Sequence, residues 1–215
     1  AVSYEGYVRQ AYRGYLQDKS KSAMYKTVTD YLSQKYSRNA SFSVINISFL
    51  DEALDIHPYA AAQGTAKYNV LRTYKENILP EVERTIGDAD SGIFFLSVGD
   101  GLYMVRNLLD NSFEPYAILV MELEKSVLFQ SLYGINGIHA VEVSIDGVPV
   151  RLDSGDMPDG VKPAVKEYHA GVEGHTLTFT AQTTEVSLWS TMPMLRRAIL
   201  LIVLLVLPLL VAMIS

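Results

Sequence analysis

The chain has 215 residues, a formal net charge of −6 and no cysteine. The acidic balance offers no basic surface for phosphate backbones, so we expect no nucleic-acid partner. The lack of cysteine excludes disulfide bonds and cysteine-ligated metal sites. The length is sufficient for one domain, or two small ones, with a proper hydrophobic core.

The first predicted element is a long amphipathic helix within residues 3–36. Apolar and aromatic side chains recur there at intervals of three and four, which is typical of one buried helix face. They are Tyr4, Tyr7, Val8, Ala11, Tyr12, Tyr15, Leu16, Met24, Val28, Tyr31, Leu32 and Tyr36. The polar stretch 17–22 is either a solvated part of this helix or a break. The helix is either a spine or an ordinary helix packed on a domain.

A strand and two helices are predicted next. Residues 41–50 (SFSVINISFL) are rich in β-branched and aromatic side chains and indicate a strand. Asp51 is a candidate N-cap for a helix over 51–63, which His57-Pro58 breaks or restarts. Helical spacing returns over 66–86, with Pro80 as a predicted boundary.

The clearest sheet signal lies between residues 93 and 123. Strands 93–98 and 102–109 flank the turn Gly99-Asp100-Gly101, whose glycines suit the positive φ angles of a hairpin. A third strand is predicted at 116–123, followed by a helix over 124–133.

A second cluster of strands follows. It comprises 140–145, the turn Asp146-Gly147, 148–152, a polar loop to residue 163, and strands 175–182 and 185–191. The pattern predicts an α+β fold with two antiparallel sheets, the second smaller than the first.

The end of the chain is apolar. Residues 198–215 contain no charged side chain, and eighteen helical residues span roughly 27 Å, close to the thickness of a bilayer's hydrocarbon core. We therefore predict a C-terminal transmembrane helix. Arg196 and Arg197 precede it, and by the positive-inside rule they would place the body in the cytoplasm.

The order of these elements resembles the extracytoplasmic Cache-type sensor region of bacterial membrane receptors, above all sensor histidine kinases. The resemblance is carried by SGIFFLSVGDGLYMVRNLL, PYAILVMELEKSVLFQSL and AVEVSIDGVPVRL, in that order. It implies a spine helix (1–40), a distal PAS-like sensor domain (41–135), a small membrane-proximal PAS-like subdomain (136–193) and a transmembrane helix (194–215).

The same resemblance implies a location. Residues 1–195 would lie outside the cytoplasm, against the indication of the two arginines. A first membrane helix would precede Ala1 and a cytoplasmic signalling module would follow Ser215, so we expect the chain to be part of a longer receptor.

Catalytic and metal-binding patterns are weak. The four histidines are scattered, and 88–92 opens like a calcium loop but has no glutamate where the bidentate ligand belongs. There is no Gly-x-Ser-x-Gly elbow and no phosphate-binding Gly-Lys-Ser/Thr motif. We therefore expect no catalysis, cofactor or metal in this segment.

Arg106 is the candidate ligand-binding residue. In LYMVRNLL, strand alternation puts Arg106 on one face with apolar neighbours, where its guanidinium is suited to gripping a ligand carboxylate. Tyr103, Tyr116 and Asp110 are predicted near the rim of the same pocket. The alternative is an edge-strand arginine that reaches solvent or pairs with Glu122.

Two functions follow from this reading. The first is a receptor sensor domain that binds a small molecule or an extracellular partner, acts at the membrane and forms a homodimer through the Tyr4–Tyr36 face. The second is a tail-anchored protein whose cytoplasmic body is an enzyme or scaffold.

Overall fold

The computed structural model describes residues 4–62, 69–86, 92–130, 138–150, 152, 163–172 and 174–184. The predicted transmembrane helix, the strand over 185–191 and the loop over 88–91 lie outside these ranges. Within them, no helix combines the length and apolar character needed to span a bilayer.

The described helices are α1 (Tyr4–Asp18), α2 (Lys21–Tyr36), α3 (Val70–Thr73), α4 (Leu79–Ile86) and α5 (Lys125–Leu128), with a π-helical segment (Tyr74–Ile78) between α3 and α4. The described strands are β1 (Phe42–Phe49), β2 (Tyr59–Ala61), β3 (Ile93–Val98), β4 (Gly101–Leu109), β5 (Pro115–Leu123), β6 (Ile138–Ile145), β7 (Val148–Val150), β8 (Pro163–Val172) and β9 (His175–Thr184). The prediction of an α+β fold with two antiparallel sheets is confirmed.

The predicted N-terminal helix is broken at the polar stretch 17–22, which was one of the two alternatives for that stretch, so a single continuous helix is wrong. The two halves, α1 and α2, fold back on each other as an antiparallel hairpin. Lys19 has a φ of +58° and ends α1. Ser20 then caps α2 by accepting a hydrogen bond from the Ala23 N–H. The rings of Tyr7 and Tyr31 stack with their centroids 4.3 Å apart, which only a hairpin allows. The polar stretch 17–22 is thus a turn.

The larger sheet has the order β2-β1-β5-β4-β3, and all its neighbouring strands are antiparallel. We call its back face the side that packs against α1 and α2. This face contributes Ile45, Ile47, Phe49, Leu108, Leu119 and Met121 to a core shared with Val8, Tyr15, Met24, Val28 and Leu32 of the hairpin. Burial of these apolar side chains is the main force that holds the helical hairpin on the sheet.

The front face of the same sheet packs against the helical segment 70–86. Tyr103, Val105, Ile118 and Val120 meet the side chains Tyr74, Ile78, Val82 and Ile86. This segment continues through Pro80, which was predicted to end it. The Leu79 N–H bonds to the Tyr74 carbonyl five residues back, and the wider π-helical turn accommodates the proline ring.

Residues 51–62 do not form the predicted helix. Asp51 accepts a hydrogen bond from the Ala53 N–H and so caps a local turn. The chain then runs extended into β2, an edge strand on β1, and the Ile47 N–H bonds to the Pro58 carbonyl. Pro58 favours this extended path because it disfavours helical geometry at the residue before it.

The smaller sheet has four described strands in the order β7-β6-β9-β8. The predicted β6, β7 and β9 are present, whereas β8 was not predicted. The predicted helix over 124–133 is confirmed only for α5, and residues 131–133 lie outside the described ranges.

The two sheets share a core of their own. Leu102, Phe95 and Leu123 of the larger sheet pack with Val143 and Ile145 of the smaller one. The two sheets are therefore packed against each other through a continuous apolar core.

Candidate functional site

Polar side chains interrupt the front face of the larger sheet, where a strand buried on both sides normally carries apolar ones. In β1, Ile45 and Ile47 point to the back face, so Asn46 and Ser48 point to the front. Both are only 4% exposed, as is Asn107 on β4. Buried polar groups cost free energy unless they are hydrogen-bonded, so their partners indicate what the face does.

Ser48 is the centre of a buried hydrogen-bonded chain. Its hydroxyl oxygen lies 2.7 Å from the Tyr74 hydroxyl and 2.8 Å from His57 Nδ1. We call Ser48, His57 and Tyr74 the buried triad. It joins β1, the segment before β2 and the π-helical segment.

The buried triad continues to the surface through a carboxylate. His57 Nε2 lies 3.3 Å from Asp55 Oδ1, and Lys75 Nζ lies 2.9 Å from the same oxygen. Hydrogen bonds from Lys75 and then His57 lower the pKa of Asp55. Asp55 is thus an anion that fixes the outer nitrogen of the imidazole.

Neutral His57 satisfies every bond in this chain. With the proton on Nε2, His57 donates to Asp55, accepts at Nδ1 from Ser48, and leaves the Ser48 oxygen to accept from Tyr74. Burial, with a smaller contribution from the Lys75 charge, lowers the pKa of His57. Burial also raises the pKa of Tyr74, whose hydroxyl keeps its proton.

Asn46 is the residue on this face with an unmet acceptor. Its Oδ1 is enclosed, yet none of the described residues donates a hydrogen bond to it. Asn46 lies opposite Tyr59 of β2 on one side and Val120 of β5 on the other. An enclosed carbonyl oxygen of this kind is suited to accept an N–H or O–H from a bound molecule.

Glu122 and Tyr103 form the other polar part of the front face. They are opposite each other in the β4–β5 ladder. Burial raises the pKa of Glu122, and the hydrogen bond from Ser43 opposes that shift. The Tyr103 ring lies over Gly101, where any Cβ would collide with the Tyr103 hydroxyl.

The four site residues predicted from the sequence are not gathered in one place. Tyr103 lies on the front face with Val105, whereas Arg106, one position further on, lies on the back face between Met104 and Leu108. Tyr116 is also on the back face, but it is 6% exposed and its ring packs on Tyr12.

Asp110 has a structural task. Its carboxylate accepts hydrogen bonds from the backbone N–H groups of Ser112, at 2.7 Å, and Glu114, at 3.1 Å. These bonds shape the β4–β5 loop. The ligand-binding roles assigned to Arg106, Tyr103, Tyr116 and Asp110 stay predictions.

The residues that the structure brings together were missed, although a signal was present. In FSVINISF the apolar and polar side chains alternate, so an amide and a hydroxyl were predictable on one face of a central strand. His57 and Tyr74 gave no such signal, because their approach to Ser48 depends on the fold of 51–62 and on the π-helical turn.

The Ser-His-Asp order of the buried triad and Asp55 does not make a hydrolase. A nucleophilic serine must have its oxygen free to attack a substrate, and Ser48 on β1 does not. Its oxygen is already shared between His57 and Tyr74. Among the described residues there is also no group of three His, Asp or Glu side chains placed to hold a metal ion.

No protein-family model and no curated protein matches the chain. Among solved structures, it is similar to the periplasmic sensory domain of the Campylobacter jejuni chemoreceptor Tlp1, at 9% identity and a TM-score of 0.48, covering 89% of this chain and 88% of that one. It is also similar to the ligand-binding domain of the Pseudomonas fluorescens chemoreceptor CtaA in complex with L-serine, at 11% identity and a TM-score of 0.47, covering 86% and 93%.

A third similar structure is the extracellular domain of a proposed histidine kinase, at 11% identity and a TM-score of 0.45, covering 81% of this chain and 82% of that one. These are sensory, ligand-binding or extracellular domains rather than catalytic ones, and they are of the class that the sequence resembles. Likenesses at these TM-scores identify neither a ligand nor an output module.

Proposed function

We propose that this chain is the extracytoplasmic ligand-sensing domain of a bacterial transmembrane receptor. One observation carries the proposal, namely the enclosed Oδ1 of Asn46 on a central strand that is otherwise well satisfied. An unmet acceptor lowers the stability of the folded protein, and a ligand that donates an N–H or O–H to it would remove that cost.

The ligand is a small polar molecule that donates an N–H or O–H to Asn46. It binds between the front face and the helical segment 70–86, beside the buried triad. The hydrogen-bonding groups of the buried triad are already paired with one another and with Asp55, so the triad shapes this region and does not bind the ligand. Glu122 supplies a second acceptor for the ligand when it is ionised.

The signal passes through the strands that carry the site. Glu122 and Tyr103 are on the front face, and their chain neighbours Leu123 and Leu102 belong to the core shared with the smaller sheet. A ligand that moves β4 or β5 shifts the packing of the smaller sheet, because packed cores adjust in discrete steps. The apolar segment 198–215 then carries the change across the membrane to an output module such as a histidine kinase.

The alternative is a tail-anchored protein with a cytoplasmic body. It is favoured by Arg196 and Arg197 ahead of the apolar segment. A binding acceptor on β1 would suit either body, and the resemblance of the element order to receptor sensor regions is what favours the receptor.

The decisive experiment compares Asn46→Leu with Thr29→Val in ligand-induced thermal stabilisation. A panel of amino acids, short carboxylates, polyamines and monosaccharides is screened against the parent protein. Thr29 is the matched control, since its Oγ1 on α2 is another buried acceptor with no hydrogen bond to a described residue. Both variants keep the number of side-chain heavy atoms. Thr29→Val removes the hydroxyl, and Asn46→Leu removes Oδ1 together with the amide nitrogen.

Asn46→Leu is expected to keep or raise the melting temperature of the free protein and to weaken binding of the active compound roughly 2-fold to 10-fold, the worth of one hydrogen bond. Thr29→Val is expected to leave binding unchanged. Equal binding by the two variants, or no active compound in the panel, would contradict the proposal.

A further inference from the structure

The β4–β5 loop presents an aromatic side chain in an unusual way. Phe113 is 82% exposed, the largest exposure among the described large hydrophobic residues that reach solvent. Its φ is +63°, in the left-handed region that bulky residues rarely adopt. Glycine or asparagine would relieve this backbone, and almost any polar residue would suit the solvent better than phenylalanine.

The loop is held rigidly in this conformation. The Asp110 carboxylate bonds to the N–H groups of Ser112 and Glu114, and the Asp110 N–H donates to the Glu114 carbonyl at 2.8 Å. Arg9 of α1 donates to the Asn111 side chain and so ties the loop to the helical hairpin. Strain that the surroundings enforce in this way is characteristic of functional positions.

The surroundings of Phe113 are acidic. Asp110 and Glu114 lie three positions before it and one position after it in the same loop. Arg9, which donates to Asn111, supplies one positive charge against these two carboxylates. The phenylalanine therefore stands in a collar of net negative charge.

We propose that Phe113 is the anchor of a docking surface for a second protein, one that presents an apolar pocket rimmed by lysine and arginine. A rigid aromatic side chain that enters a pocket supplies most of the binding energy of many interfaces. The carboxylate collar selects a basic rim and steers the encounter. This surface lies on the loop side of the larger sheet and is separate from the front face.

Two other occupants fit the chemistry less well. A lipid surface would require Asp110 and Glu114 to lose water beside the inserted ring, which is costly for carboxylates. A second copy of this chain, meeting the first across a two-fold axis, would bring the same acidic collar against itself. Both remain measurable outcomes of the test.

The test begins with the full chain in the cells that make it. Phe113 is replaced by the photo-reactive amino acid p-benzoylphenylalanine, and the matched control carries the same amino acid at Leu128, which is 43% exposed on α5. Irradiation is expected to join position 113, and not position 128, to a protein of different sequence. That protein is then purified and its affinity measured for the parent chain, Phe113→Ala and Leu128→Ala.

The expected result is a loss of affinity of at least about tenfold for Phe113→Ala, none for Leu128→Ala, and slower association of Glu114→Gln at low salt. Phe113→Gly serves as a second variant that relieves the backbone and is expected to melt no lower than the parent. Cross-links to lipid or to a second copy, no cross-link at all, or an affinity that Phe113→Ala leaves unchanged would each overturn the proposal.

Discussion

The hydroxyl oxygens of Ser48 and Tyr74 lie 2.7 Å apart, and this bond fastens the helical segment 70–86 to β1. Both residues are almost fully buried. Ser48→Ala would leave the Tyr74 hydroxyl and His57 Nδ1 without their shared partner. We expect the free energy of unfolding, measured by urea denaturation, to fall by about 1–3 kcal/mol.

Ser126→Ala is the control for that measurement. The Ser126 hydroxyl also makes a hydrogen bond, to Glu124 at 2.6 Å, but the pair is exposed. Its loss should change stability by less than about 0.5 kcal/mol, as is usual for surface positions. Similar losses of unfolding free energy in the two variants would show that the buried triad stabilises the fold no more than an exposed hydrogen bond does.

The stability of the domain should depend on the protonation of His57. The pKa of His57 is lowered in the folded state. As the pH falls below the ordinary value of 6.5, the unfolded chain therefore binds a proton at His57 before the folded chain does. Stability is therefore complete above that pH and falls as the pH is lowered through it. Protonation would also make Nδ1 a donor to the Ser48 oxygen and leave one of the two hydroxyl protons, that of Ser48 or that of Tyr74, without an acceptor.

Glu122 opposes this trend, because its raised pKa makes the folded chain the better proton binder above the ordinary carboxyl pKa of 4.5. The readout is therefore the difference in slope between variants, from urea denaturation between about pH 5 and pH 8. His57→Gln should lose the acid-side decline that the exposed His169→Gln retains. Identical slopes in these two variants would rule out His57 as its source.

Arg106→Ala separates the two faces of the larger sheet. Since Arg106 lies on the back face and the proposed site on the front, the variant should keep the ligand-induced thermal shift while losing about 0.5–3 kcal/mol of stability. The sequence-based prediction was the opposite, namely that the shift disappears and the free protein stays folded. If Arg106→Ala abolishes the ligand-induced shift and stays folded, while Asn46→Leu responds to the ligand like the parent protein, the site lies on the back face.

The side of the membrane on which the body lies can be tested at Ser112, which is exposed on the β4–β5 loop. The chain has no native cysteine, so Ser112→Cys introduces a single thiol. In intact cells expressing the full chain, a membrane-impermeant thiol reagent should label it. Labelling that requires lysis would support the tail-anchored alternative instead.

The helical hairpin predicts cross-links within one chain. Cysteines in place of Tyr7 and Tyr31, whose rings stack, should be joined by a short bifunctional thiol reagent without forming dimers. The single Tyr7→Cys variant is the control, and it also tests the homodimer predicted from the sequence. A dimer from the single variant in membranes would support that homodimer, whereas failure of the double variant to join internally would contradict the hairpin.

The sequence was informative where a signal was local. The β3–β4 hairpin was predicted almost to the residue, because Gly99 has the positive φ that its turn requires and the flanking strands are strongly apolar. By contrast, β8 escaped notice because its sequence PAVKEYHAGV mixes polar and apolar side chains, as an edge strand exposed to water does.

The site was harder to predict because its members meet only in three dimensions. The sequence shows Arg106 as a charged residue among apolar neighbours, and strand alternation correctly predicts that Arg106 and Tyr103 lie on opposite faces of β4. Whether a face is covered by helices α1 and α2 or by the segment 70–86 depends on packing between distant parts of the chain, which no local pattern records. The helical hairpin is a further case, since helical periodicity is the same on both sides of a turn.

The turn at Lys19 changes the mechanics of the domain. A straight helix over residues 4–36 would be a lever about 50 Å long, with its two ends far apart. Folded in half, it puts the start of α1 beside the last turns of α2, where Tyr36 contacts Phe42 and Phe42 touches the core between the sheets. The hairpin therefore brings the start of α1 to the end of the molecule at which the two sheets share a core, so any displacement of α1 would have a short path to that core.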